Sequence, residues 1–218
     1  MQQNAIVRNL SGMESLDRIG SPLQSAVDGA LAKVPVVRQT LQGTSWLGHA
    51  LHPALTDFPI GAWAAGFVLD MIEVGGGKLR HRDAADIVHL FGFGSACLAG
   101  ITGLAEYADA REPEQKRVGV VHGLLNVGIL GLYGASLLAR RNGRRRQGIV
   151  LASIGFGCLL ASGWLGRELS YTFGMGQSKR RRMPRVQEPV LSQEVRDEGQ
   201  LEVPTAVSSD LGDVPVTH

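Results

Sequence analysis

The chain has 218 residues and a net charge of +2, which excludes nucleic acid or any other strongly charged polymer as its main partner. Its apolar fraction of 44% is diluted by polar ends around a very apolar middle, and 29 glycines beside only 6% aromatics point to helices packed closely through small residues. Cys97 and Cys158 both fall in apolar runs, which excludes a disulfide framework or a CxxC metal site and makes them small buried hydrophobes.

The opening MQQNAIVRNLSGMESLDRIG interrupts any apolar stretch with acidic and polar residues, so no cleavable signal peptide is expected, and residues 1–20 read as loose chain. Next, Leu23, Val27, Ala30, Leu31 and Val34 recur at three- and four-residue spacing, the pattern of an amphipathic helix. Ser21 caps it with Pro22 in its first turn, and Pro35 ends or kinks it. Two placements fit: along the membrane surface with Lys33 and Arg38 near lipid phosphates, or as an ordinary cytosolic helix. This N-terminal segment takes in residues 1–45.

Four apolar segments follow, at 54–74, 84–104, 118–139 and 148–166. Each is close to the ~20 residues that carry a helix across ~30 Å of hydrocarbon. The third and fourth contain no Asp, Glu, Lys or Arg, so a soluble bundle helix with a wet face is a poor alternative. Asp57, Asp70, Asp86 and His89 lie toward the ends of the first two, where a polar side chain reaches the interface. The expected fold is all-α: a four-helix transmembrane bundle over residues 46–176, with the amphipathic helix before it. Small residues at Ala96 and Gly100, Gly119 and Gly123, and Gly157 and Ala161 are the expected points of close helix approach.

From residue 177 the composition becomes charged and proline-dotted, a disordered tail whose basic run at 179–182 and Arg185 sets topology or meets anionic lipid. Four spans put both termini and the turn 105–117 on one face, here the end face, and the turns 75–83 and 140–147 on the opposite one. Basic residues divide almost evenly, with Arg140, Arg141, Arg144, Arg145 and Arg146 opposing Arg111, Lys116, Arg117 and the basic tail. The missing signal peptide and the basic tail favour cytoplasmic termini in the cell membrane.

This topology gathers polar residues at the end face: His49, His52 and Asp57 from span one, Glu106 and Asp109 from span two, His122 and Asn126 from span three, Trp164, Arg167 and Glu168 from span four. Ionisable groups at membrane depth are costly, so convergence from four helices points to function. Plainer readings stand beside it: Asp57 as an N-cap, Trp164 and Tyr107 as interfacial anchors, Glu106 and Asp109 as solvation of a helix end. His49, His52 and His122 are the candidate cofactor ligands, for haem, a metal or a quinone head. A haem iron needs two histidines at one depth, which rules out His89 with His122 and leaves His49 or His52 with His122.

The segments WLGHALHPALTDFPIGAWAAGFVLDMIE, GLAEYADA, VGVVHGLLN and SGWLGRELSYTFGMG resemble a bacterial family of predicted membrane proteins, domain of unknown function 2231. The resemblance covers about residues 46–176 and implies a four-helix membrane domain, with His49, His52, Pro53, Asp57, Pro59, Gly61, His122, Asn126, Gly163, Trp164, Gly166 and Glu168 at motif positions. Some members carry a C-terminal Rieske-type [2Fe-2S] domain, which implies an electron-transfer setting. This chain has no Cys-x-His pair in its tail and so holds no such cluster itself.

Three functions follow as expectations. A redox-associated module would hold a cofactor in the end-face cluster and exchange electrons with a Rieske-type iron–sulfur partner. A non-catalytic scaffold, including a homo-oligomer in the bilayer, would use the same residues only for capping and packing. A small transporter would need charged residues along a path through the bundle.

Overall fold

The computed structural model describes residues 4–77 and 80–176, within one compact unit, Met1–Ser178. The expected tail from residue 177, with its basic run, lies outside the described residues, as does Lys78. The described chain is helical: α1 (Ala5–Ser11), a 3-10 turn (Glu14–Leu16), α2 (Asp17–Ala32), α3 (Pro35–Gln42), α4 (Leu51–Val74), α5 (Arg80–Tyr107), α6 (Pro113–Arg141) and α7 (Arg145–Tyr171).

The last four are long and apolar enough to cross a membrane. Each runs past its expected apolar segment because a helix continues until its polar flanks meet water or a breaker. Gly143, for instance, turns the chain between α6 and α7 with φ 75°. Phe58, Leu90, Phe91, Leu98, Leu124, Val127, Ile154 and Leu160 are exposed on these helices. Such a girdle would be an aggregation surface in water and suits hydrocarbon.

α4 and α5 form one antiparallel hairpin, α6 and α7 another, and α5–α6 and α4–α7 contacts close the ring. α4 and α6 are therefore diagonal to each other, and the centre of the bundle lies between them. There, Trp63 and Tyr133 stack with ring centroids 3.8 Å apart and planes 1° from parallel. Ile129, Ala152 and Leu159 complete that core.

The N-terminal helices correct two expectations. Residues 4–20 are not loose: Val7 of α1 is wholly buried against Val118, Leu165 and Leu169. α2 begins at Asp17, so Ser21 is not its cap and Pro22 lies inside it, while Pro35 opens α3 after the break at Val34. α2 is tied to the end of α5, where Gln24 Nε2 donates to the carbonyls of Ala108 (3.2 Å) and Ala110 (2.6 Å). Arg38 pairs with Asp28 (2.8 Å) and Asp109 (2.6 Å), which ties α3 to α2 and to the end of α5.

Of the expected close-approach glycines, Gly119 is one, since a Cβ there would come within 2.9 Å of the Tyr107 ring, and three others are not. A side chain at Gly100, Gly123 or Gly157 would meet open space. At Gly66 and Gly92 a Cβ would collide with the His89 and Trp63 rings, at 2.5 Å. Glycine is needed here where an aromatic or imidazole ring lies flat on a helix backbone.

Candidate functional site

His52 stands in the first turn of α4 and His122 in the third turn of α6, and the diagonal packing brings the rings to a centroid separation of 6.4 Å at 81°. The two rings are held alike. His52 Nδ1–H donates to the Ala99 carbonyl (2.8 Å), and its ring lies on Gly103, where a Cβ would come within 2.9 Å of Cε1. His122 Nδ1–H donates to the Ser162 carbonyl (3.1 Å), and its ring lies on Gly166, where a Cβ would come within 3.0 Å of Cε1. A carbonyl only accepts, so each Nδ1 carries a proton, and in the neutral ring each Nε2 keeps a lone pair. Asn126 agrees with that tautomer: its Nδ2 donates to His122 Nε2 at 3.1 Å.

The remaining candidates divide. His49 is exposed, with Nδ1 3.0 Å from its neighbour's carbonyl at Ala50, and is not brought to the pair. Asp57 is no cap, because α4 starts at Leu51 with Ala50 in the N-cap position; it lies exposed in the second turn. Asp109 accepts from Arg38 and from Gln42 Nε2 (2.9 Å), binding α3 to the end of α5. Glu168 accepts from Thr172 Oγ1 (2.6 Å) and from Arg167 (3.4 Å) at the end of α7. Trp164 packs beside Val7 and Val118. Tyr107 is buried, its hydroxyl donating to the Gly20 carbonyl (3.3 Å), so it is not a lipid-facing anchor. Glu106 keeps one buried carboxylate oxygen, Oε2, without a hydrogen-bond partner among the described residues.

The larger omission lies at the opposite face. Asp70 and His89 do not reach for the interface: both are fully buried, with His89 Nε2 3.0 Å from Asp70 Oδ2. Arg140 donates from Nη1 to Asp70 Oδ1 (2.9 Å) and to Asp86 Oδ1 (3.0 Å). Arg145 bridges Asp86 (2.9 Å) to Glu73 (2.7 Å), which completes a network across all four spans. Pairing on this scale keeps the charges tolerable away from water and fixes how the hairpins dock. Segment-by-segment reading hides it, because each partner comes from a different helix. A lone arginine opposite lone aspartates at matching depth was the available signal.

Chemically, the end-face pair offers two half-buried imidazoles whose Nε2 atoms accept when the rings are neutral. Among the described residues no group of three or more His, Cys, Asp or Glu side chains could hold a metal ion, so this pair supplies two protein ligands at most.

A family model described as a predicted membrane protein, DUF2231, matches residues 48–179. The chain belongs to the DUF2231 family. The matched span holds all four membrane-length helices and both histidines of the pair, while α1 to α3 precede it. No curated protein and no solved structure matches the chain.

Proposed function

We propose that this DUF2231 chain is a membrane-embedded electron-transfer module. Its end-face pair, His52 and His122, holds a redox-active group, whether haem iron, another metal or a quinone head, for exchange with a soluble Rieske-type iron–sulfur partner. One observation carries the reading. Two half-buried histidines from different hairpins are each oriented by a backbone carbonyl, which is how proteins fix an imidazole whose other nitrogen binds. The partner follows from the family resemblance alone. The reading puts the chain in the cell membrane with its termini on the cytoplasmic side.

A scaffold is the second reading, and the Asn126 bond favours it, since His122 Nε2 is satisfied within the chain. A transporter has less support. The charged groups sit at the two ends, and the stacked Trp63 and Tyr133 with Ile129 and Leu159 fill the centre between them.

The deciding experiment is visible absorbance, metal analysis and quinone extraction on the detergent-purified chain, with His52→Leu and His122→Leu alongside. One redox group per chain, lost in either variant, is expected. No Soret band, no stoichiometric metal and no quinone in the parent protein would overturn the electron-transfer reading and leave the scaffold.

A further inference from the structure

The two hairpins carry the same residues at a fixed offset. Gly92, Phe93, Gly94, Gly100 and Gly103 of α5 recur as Gly155, Phe156, Gly157, Gly163 and Gly166 of α7, each 63 positions on. His52, Leu55, Gly61 and Ala65 of α4 recur as His122, Leu125, Gly131 and Ala135 of α6, each 70 positions on. The contacts repeat with the residues. Gly92 lies against Trp63 as Gly155 lies against Tyr133, and Gly103 against His52 as Gly166 against His122. The carbonyls that receive the imidazole protons, Ala99 and Ser162, stand at the same 63-residue offset.

We infer that the four-span domain is a fused duplication of one helical hairpin, and that His52 and His122 are the two equivalent halves of a single site that binds a metal centre on the axis relating the copies. This rests on reading the histidine pair as a site, and it narrows the ligand. Exchanging α4 with α6 and α5 with α7 maps every helix contact of the ring onto another, as a two-fold rotation along the bundle would. The axis passes between His52 and His122, between Trp63 and Tyr133, and between Asp70 and Arg140, which are the pairs 70 residues apart that touch.

What the copies kept and what they lost marks the working end. At the opposite face the equivalents of Asp70, His89 and Asp86 are Arg140, Ala152 and Ile149, so that network was rebuilt asymmetrically. At the end face the histidine, its carbonyl and its glycine all persist in both copies. A pair of core histidines has no need to be the same in both halves, whereas a ligand held from two sides needs both.

The chemistry of the pair selects the ligand class. Both Nδ1 protons are given to carbonyls, so both Nε2 atoms are acceptors. An oxidised quinone offers only acceptor oxygens and would find no donor in either imidazole. A metal takes a lone pair from each side. Two imidazoles across one metal, with bonds of about 2 Å and ring centres roughly 1 Å further back, have centroids about 6 Å apart, and the observed separation is 6.4 Å. The pair supplies two ligands from the described residues, and an iron tetrapyrrole is a metal centre that brings the other positions with it. His122 gives up its bond from Asn126 to take part, and Thr56 is the residue equivalent to Asn126 in the other copy.

The test titrates hemin into the full-length chain in detergent, with His52→Gln, His122→Gln and the mirror variant Thr56→Asn/Asn126→Thr, each first shown monodisperse by size exclusion. Expected are one hemin per parent chain with a six-coordinate, low-spin spectrum, its loss together with at least tenfold weaker binding in both glutamine variants alike, and retention in the mirror variant. Binding that depends on one histidine alone, binding that ignores both, or no hemin binding by the parent chain overturns the inference. Co-extraction of a quinone without hemin binding would leave the electron-transfer reading standing. Hemin binding by a chain purified without any redox group would support the composite site while removing that reading.

Discussion

Arg140 grips Asp70 through both terminal guanidinium nitrogens, and the pair lies buried at the end of the spans opposite His52 and His122. The side chains of Arg140 and Asp70 are 2% and 1% exposed, so neither has water to fall back on. Deleting one member strands a charge in a medium of low dielectric, which costs about 3–5 kcal/mol, whereas removing both costs much less. Arg140→Leu should therefore unfold far more readily in detergent than Asp70→Asn/Arg140→Leu. Thermal unfolding monitored by circular dichroism makes the comparison, and equal midpoints for the two would show that the pairing does not hold the hairpins together.

Acid should loosen the N-terminal helices before the spans. Arg117 donates to both carboxylate oxygens of Asp17 (3.0 and 2.7 Å), and this hydrogen bonding holds the Asp17 carboxyl below its ordinary value of 3.8. A depressed carboxyl pKa stabilises the docked state fully above that ordinary value, and the contribution fades as pH falls through the lower folded value. Protection factors along α2, taken relative to the intrinsic exchange rate at each pH, should fall below about pH 4 in the parent chain, a carboxylate range. Asp17→Asn should already exchange faster at neutral pH and lose most of the acid dependence. An unchanged acid profile in that variant would assign the effect to another group.

The spans were legible because a stretch without charges has no soluble alternative, and composition alone decides that. The convergence of His52 with His122 was also legible, since helix length and the number of spans fix depth. His49 was not separable from His52, because three residues at a helix start place one ring outside the bundle and the other within it. The Asp70, His89 and Arg140 network escaped because the interface was a cheaper destination for each residue taken singly; only partners on other helices make burial affordable. The recurrence of GFGSACLAGITG as GFGCLLASGWLG went unread, because the segments were taken one at a time and its meaning depends on contacts that a pattern of glycines does not state.

Those glycines give a sharper test of packing than spacing rules do. Gly103→Ala and Gly166→Ala each force an imidazole to move, with a Cβ 2.9 and 3.0 Å from the ring. Overpacking of this kind costs about 1–3 kcal/mol. Gly100→Ala and Gly163→Ala add a methyl to open space and should be neutral, or stabilising by up to ~1 kcal/mol through helix propensity. Unfolding midpoints of the four variants should sort into these two pairs, one member from each hairpin. A split by hairpin, with both α5 variants on one side and both α7 variants on the other, would contradict the equivalence of the copies.

The stacked ring pair at the centre tests that equivalence where no ligand is involved. Tyr133→Ala should lose about 3–5 kcal/mol, the usual cost of deleting a buried aromatic. Tyr133→Trp alone places two indoles in a space shaped for one and should cost about 1–3 kcal/mol by overpacking. The exchange Trp63→Tyr/Tyr133→Trp conserves total volume and rotates the pair about the axis. In the parent chain Trp63 Nε1 donates to the His89 carbonyl at 3.4 Å. The position 63 residues on is Ala152, itself buried in the same core, so the transplanted indole meets a helix backbone at the equivalent place. The exchange should therefore melt within about 1 kcal/mol of the parent, in the range of volume-conserving core swaps. Were it as unstable as the sum of its single changes, the centre would be two unrelated surfaces that happen to meet, and not one surface used twice.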